Sequence, residues 1–295
     1  MPLAALGLVL ASCVLHAFWN LLFKQARDKL AFTALFLSAA PVLYLPLFIL
    51  ASRHAAMPRM GWLCVLGTAL AYLGYFVGLA RAYSDGDLSI AYPISRGSGP
   101  ALAALWGVLL LGERPSILGG IGIALIIGGI ALIYRPVGGA NSQSNASGVA
   151  TSSAVRAAFF TGLMISFYTL IDKVGVGPLH ITPGFYIYLT YTGSALLVIP
   201  WVIRKQGAAA LRAEWKSNRW RVIAVAALNP LSYLLYLIAL SLPTTPIAYM
   251  APLRSFSVVF AVALGAIFLK EGGGWNRVAA GAVMVAGLTV ISIRG

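Results

Sequence analysis

Ser12, His16, Asn20 and Lys24 recur every fourth residue through the otherwise apolar run SCVLHAFWNLLFK. On a helix this spacing sets all four side chains on one face, where they could bind a polar ligand. At His16 such a face could also carry a proton, because histidine is the side chain that titrates unperturbed between about pH 5 and 8. Arg96 and Arg254 are the other ionisable groups within long apolar runs. Their guanidinium forks match the geometry of a carboxylate or a phosphate. An ionisable group inside a bilayer costs at least ~2.5–3.5 kcal/mol on insertion scales, so each needs a reason to be there. Structural readings compete with these. His16 could be a neutral histidine satisfied by a neighbouring helix, and each arginine, about 8–11 Å inside its run, could snorkel to the surface.

The elements that must hold these residues are membrane helices. The chain has 295 residues, 60% hydrophobic and 9% charged, far from the roughly 25% charge of soluble domains. Ten runs reach the length that a spanning helix needs: roughly Leu3–Phe23, Ala31–Ala51, Gly61–Ala80, Ala91–Leu111, Ser116–Tyr134, Ala154–Ile171, Gly184–Ile203, Val222–Leu240, Ile247–Leu269 and Val278–Ile293. They are apolar all round rather than alternating, which excludes the strands of a membrane barrel. A net charge of +14 raises the question of nucleic acid, but the basic residues lie in short loops and form no basic domain. They read as topology-setting charge beside anionic lipid. Cys13 and Cys64 fall inside apolar runs without metal or disulfide spacing and read as packing residues. The first run lacks a basic segment before it and reads as a retained helix rather than a signal peptide.

The chain repeats itself. Phe18–Lys24, FWNLLFK, aligns without gaps on Phe167–Lys173, FYTLIDK. Trp19 then pairs with Tyr168, Asn20 with Thr169 and Lys24 with Lys173, while His16 falls opposite Ile165. Ile90-Ala91-Tyr92 matches Ile247-Ala248-Tyr249, each followed by a proline and an arginine, and Arg96 to Glu113 and Arg254 to Glu271 both span 17 residues. Five spans per half is an odd number, so the second half enters from the opposite side, as an inverted repeat. Residues 1–139 form the first repeat, 154–295 the second, and the Gly/Ser/Asn-rich stretch 140–153 between them reads as a flexible linker.

Proline and glycine near both arginines, with Gly97, Gly99 and Pro100 after Arg96, suggest broken helices. Freed backbone groups there would need partners in protein or in a water-lined cavity, and broken helices often mark transporter binding sites. Glu113 and Glu271 read as interfacial caps. All seven acidic residues lie at the expected span ends or in loops, leaving no buried carboxylate for proton coupling. Gly120, Ala124 and Gly128, with Ala282 and Ala286, form small-residue faces suited to close helix packing, with a dimer seam as the other reading.

GDLSIAYPISRGSGPALAALWGVLLLGERPS, its sequel GGIGIALIIGG and the weaker echo PIAYMAPLRSFSVVFAVALGAIFLKE resemble the drug/metabolite transporter superfamily, specifically its EamA-type members. The resemblance covers essentially the whole chain. It implies an all-α integral membrane fold of ten helices, a 5+5 inverted repeat, whose first four helices in each half surround a central substrate cavity. Members export or exchange amino acids, metabolites, drugs, nucleotide sugars or phosphorylated sugars.

The expected substrate-binding residues are therefore His16, Trp19, Asn20, Tyr75, Tyr92, Arg96, Tyr168, Thr169, Tyr249 and Arg254, with no catalytic residue, no metal site and no cofactor. No HExxH, GxSxG or clustered acidic motif suggests an enzyme. The expected function is secondary transport of an amino acid or other carboxylate-bearing metabolite by alternating access; a non-transporting scaffold using the same fold is the competing reading. The expected partners are a small-molecule substrate and membrane lipid, with no nucleic acid, in a monomer or homodimer of a bacterial inner membrane. Counting Lys and Arg by side gives fourteen against five and places both termini outside, whereas the resemblance implies cytoplasmic termini.

Overall fold

The computed structural model describes residues 2–53, 55–85, 88–133, 152–260 and 275–294, those at 83–85, 88–93, 133, 152, 275–278 and 294 by backbone alone. Glu271, the Tyr92 side chain and nearly all of the expected linker lie outside the described residues. The elements are α1 (Leu3–Lys24), α2 (Lys29–Ser52), α3 (Arg59–Asp85), α4 (Leu88–Leu110), α5 (Ile117–Ile133), α6 (Ser152–Val176), α7 (Pro183–Gln206), α8 (Ala208–Ser241), α9 (Ile247–Arg254) and α10 (Trp275–Arg294). Each expected run contains helix among the described residues, although of Ile247–Leu269 only residues 247–260 are among them. Six stretches are long and apolar enough to cross a bilayer: Leu3–Lys24, Lys29–Ser52, Arg59–Ala82, Ser153–Val176, Pro183–Gln206 and Ala208–Ser241.

Local chemistry sets the helix ends. Asp28 caps α2 by accepting the backbone N–H groups of Leu30 and Ala31 at 3.0 and 3.1 Å, satisfying two donors that a helix N-terminus leaves open. Lys29 Nζ closes α1 by donating to the carbonyls of Phe23, Lys24 and Ala26. Pro183 begins α7, and Gly207 at φ +80° ends it in a conformation that glycine adopts without strain. α8 extends N-terminal of its expected span and kinks at Asn218. There Glu214 accepts the Asn218 amide and the backbone N–H groups of Arg27 and Asp28, tying the outer part of α8 to the α1–α2 corner.

Helix pairing follows a two-fold pattern. α1 packs on α8 and α9, and its repeat mate α6 packs on α3 and α4. α2 pairs with α7, α4 with α9, and α5 with α10. Each half thus lays its first helix against the third and fourth helices of the other. Apolar side chains left outside, such as Val42, Ile117 and Leu196 at 72%, 87% and 70% exposure, suit a lipid-facing surface rather than water.

Two packing expectations need correction. Gly120, Ala124 and Gly128 are exposed, as are Ala282 and Ala286. The tight face of α5 is instead Gly122 and Gly129, with Ile126 and Ile130 buried beside them. A Cβ on Gly287 would come within 2.7 Å of the Gly122 carbonyl oxygen, so backbone meets backbone there. Nor is α4 broken: it runs helical through Gly97, Gly99 and Pro100. Its glycine serves close approach, since a Cβ on Gly162 would lie 3.1 Å from both the Gly99 nitrogen and the Ser95 carbonyl oxygen. Among the described residues the break occurs in the second half, where α9 ends at Arg254, turns at Ser255 and Phe256, and is helical again over 257–260.

Candidate functional site

Helices α1, α4, α6, α8 and α9 converge on a cavity of about 60 Å³. α1 contributes His16; α4 contributes Arg96, Gly99, Pro100 and Ala103; α6 contributes Ile165, Tyr168 and Thr169. Tyr236 comes from α8, Ala251 and Arg254 from α9, and Ser255, Ser257 and Val258 from the break that follows. The lining holds two arginines and no carboxylate. Its volume suits a few waters and falls below the ~300 Å³ lower end of ligand sites.

The break that positions Arg254 is supported from the other half. Breaking a helix orphans its last carbonyls, and the Cys13 thiol lies 3.3 Å from the Arg254 carbonyl oxygen and 3.6 Å from that of Leu253. Cys13 therefore packs and also donates. At its other end α9 is capped by Glu113, whose carboxylate accepts the N–H groups of Ile247 and Ala248 at 2.7 and 2.8 Å. The capping role expected of Glu113 is met, but toward the opposite repeat.

Arg254 lies over two aromatic rings, its guanidinium carbon 4.5 Å from the ring centroids of both Tyr233 and Tyr236. Such stacking holds a guanidinium in place while leaving its edge free to bond. Indeed Arg254 Nη1 is buried without a hydrogen-bond partner, as are His16 Nδ1, Trp19 Nε1 and the Tyr236 hydroxyl. The His16 and Trp19 rings meet edge to face at 4.8 Å. Three of these unsatisfied groups belong to residues that line the cavity and the fourth, on Trp19, adjoins His16; most of them can donate. Buried polar groups are usually paired.

A model of the EamA-like transporter family matches the chain twice, over residues 3–135 and 152–293. The chain belongs to the EamA-like transporter family. It is a multi-pass membrane transporter.

Similar proteins include the multidrug resistance protein EbrB of Bacillus subtilis (strain 168), 36% identical over 71 residues, or 24% of this chain and 61% of EbrB. The spermidine export protein MdtI is similar too: that of Yersinia pestis (strain Pestoides F) is 36% identical over 75 residues, 25% of this chain and 68% of its own. The MdtI of Enterobacter sp. (strain 638) is 37% identical over the same span length and shares. The chain thus spans about three fifths of EbrB and two thirds of MdtI. A crystal structure, described only as that of a protein, superposes with a TM-score of 0.79 over 99% of this chain and 98% of its own, at 15% identity. That likeness concerns the fold.

The transporter's expected site residues separate into groups. His16, Arg96, Tyr168, Thr169 and Arg254 line the cavity, and Trp19 adjoins it through the His16 ring. Asn20 does not line it. Its amide donates to the His16 carbonyl at 2.7 Å, as the Thr169 hydroxyl donates to the Ile165 carbonyl at 2.7 Å. The repeat pair is preserved, but as two bonds within helices rather than between them. Tyr249 is also outside: its hydroxyl accepts the Ser116 N–H at 2.9 Å, at the α4–α5 corner. Tyr75 packs edge to face on Phe76 at 4.8 Å and is not among the lining residues.

The polar stripe of α1 therefore serves several ends. Ser12, fully buried, donates to the Ser232 carbonyl at 2.6 Å, and the Ser232 hydroxyl returns a bond to the Ser12 carbonyl at 2.9 Å, clasping α1 to α8. Lys24 is exposed. Its repeat mate Lys173 turns inward and donates to the Leu240 and Thr245 carbonyls at 2.8 Å.

The expectation of no buried carboxylate is wrong. α6 continues past Ile171 to Val176, and Asp172 is fully buried. Around it and Arg254 gather Tyr72, Tyr168, Tyr191, Tyr233 and Tyr236, with Tyr72 stacked on Tyr168 at 4.7 Å and Tyr233 tilted against Tyr236 at 5.9 Å. The available signal was Tyr233 and Tyr236 sharing a face three residues apart, just after Pro230.

Proposed function

We propose that the protein is a secondary transporter that exports or exchanges a small carboxylate-bearing metabolite, such as an amino acid, by alternating access through the central cavity of a bacterial inner membrane. One observation carries this reading: Arg254 Nη1, His16 Nδ1 and the Tyr236 hydroxyl are buried and unbonded on residues that line one cavity, and Trp19 Nε1 is likewise unbonded beside His16. A carboxylate supplies the acceptors that this set lacks. Arg96 adds positive charge from α4, so an anionic group is favoured twice over. A cavity this small fits a closed state that must open for substrate to enter.

The similar exporters favour a second reading. MdtI is named for spermidine, a polycation, and EbrB for multidrug resistance. A polycation would need carboxylates or open aromatic faces, whereas here the faces of Tyr233 and Tyr236 already hold Arg254. Counterflow in proteoliposomes separates the readings. Saturable exchange of amino acids or carboxylates, with none of spermidine, is expected; spermidine exchange without carboxylate exchange contradicts the proposal. Its scaffold competitor predicts no saturable exchange at all and no labelling of a cysteine placed at Thr169 from solution.

A further inference from the structure

Asp172 stands beside the cavity without lining it. Its Oδ1 accepts the Thr68 hydroxyl at 2.6 Å and the Tyr186 hydroxyl at 2.8 Å, and its Oδ2 accepts the Tyr233 hydroxyl. α3, α7 and α8 thus each send one donor to an acid on α6. A cage of three donors is suited to a carboxylate, and a carboxylate so deeply buried is costly unless a positive charge compensates it.

Among the described residues no lysine or arginine forms an ion pair with this acid. Lys173, its neighbour in sequence, points at the Leu240 and Thr245 carbonyls. Arg254 is linked to the acid through Tyr233, and its charge can offset that of the acid. Tyr233 bonds the acid with its hydroxyl and holds the arginine on its ring. The other titratable groups facing the acid are Cys64 and Tyr72 from α3, Tyr186 and Tyr191 from α7, Tyr236 from α8 and Tyr168 from α6. Arg96 on α4 and His16 on α1 sit at the cavity rather than at the acid.

We propose that Asp172 is a proton-binding site coupled to the cavity: it takes up one proton when an anion pairs with Arg254 and releases it when the anion leaves. The inference rests on the carboxylate reading of the cavity. An anion on Arg254 claims the charge that had compensated Asp172. One proton from water then adds to Oδ2, the Tyr233 hydroxyl turns to accept it, and the net charge of the buried cluster is unchanged. One proton thus travels with each anion. The coupling is reciprocal, so protonation of Asp172 also tightens anion binding.

Two experiments test this on the full-length protein. In infrared spectra, subtracting Asp172→Asn identifies the carboxylic-acid carbonyl band of Asp172. Arg254→Gln removes the compensating charge as a bound anion would, and at pH 7 it is expected to raise that band severalfold over wild type. An unchanged band overturns the proposal. Should Asp172→Asn not fold, Tyr233→Phe identifies the same band by shifting it. No ligand is used, so this result does not depend on the carboxylate reading. In proteoliposomes loaded with a pH dye, a succinate gradient is expected to move protons with succinate in the wild type and to move succinate alone in Asp172→Asn. Succinate movement without protons in the wild type overturns the coupling and leaves the carboxylate reading intact.

Discussion

Arg254 meets three demands at once: it lies over the rings of Tyr233 and Tyr236, faces the cavity and keeps Nη1 unbonded. Arg254→Gln should weaken carboxylate binding by about tenfold to a hundredfold, the worth of a charged hydrogen bond of ~1.5–3 kcal/mol, as measured by isothermal titration. Arg254→Lys should recover little of that, because an ammonium has neither the planar fork nor the stacking face; full recovery would show that charge alone suffices. His16 calls for a different expectation. On the proposed reading its imidazole serves as a neutral hydrogen-bonding group rather than a proton carrier, because a third positive charge beside Arg96 and Arg254 would be repelled by both. His16→Gln should therefore weaken binding yet keep the pH dependence of transport; a flat pH profile in that variant would restore the proton-carrying role. At this scale the sequence disclosed His16, Arg96 and Arg254 because charge in an apolar run is conspicuous. Asp172 escaped because it follows the apolar run and reads as a span-end residue until α6 is seen to continue to Val176 with Asp172 buried.

Helices were legible from hydropathy, since each long apolar run must satisfy its own backbone in lipid. Which face of each helix packs inward was less legible. α5 is glycine-rich all round, and Gly120 and Gly128 have the same spacing logic as Gly122 and Gly129. Only the partner helix decides between them. Gly287→Leu, which forces a side chain against the Gly122 carbonyl, should cost at least the ~1–3 kcal/mol typical of overpacking and lower the unfolding temperature of the purified protein. Gly120→Leu, on the open face, should leave it nearly unchanged. Equal losses from the two would mean that the exposed face is covered, as a dimer seam would cover it. The Ser12–Ser232 clasp should show a smaller effect: Ser12→Ala should cost about 1 kcal/mol in the same assay. A proline predicts a break no better than a glycine does. α4 stays helical through Pro100, whereas α9 breaks after Pro252, where the Cys13 thiol and the Glu113 carboxylate can satisfy the backbone groups at its ends.

At the scale of the molecule, the repeat read from FWNLLFK and FYTLIDK reappears as the exchange of first helices between halves, α1 on α8 and α9, α6 on α3 and α4. Symmetry of the frame and asymmetry of the site follow from the same alignment. Thr169 answers Asn20 with a matching backbone bond, but Ile165 answers His16, and α9 breaks after Arg254 where α4 runs on through Pro100. The unbonded groups of His16, Tyr236 and Arg254 in the cavity lining share that asymmetry, which the proposed site for one small anion uses. The sequence could not show this arrangement, because Tyr233 and Tyr236 become meaningful only when α8 brings them beneath Arg254. The most direct measurement is counterflow of a radiolabelled amino acid and carboxylate panel in proteoliposomes, comparing wild type with Arg254→Gln. Saturable carboxylate exchange that falls at least about tenfold in the variant is predicted; exchange that is equal in both, or confined to spermidine, would contradict an anion-binding cavity built on Arg254.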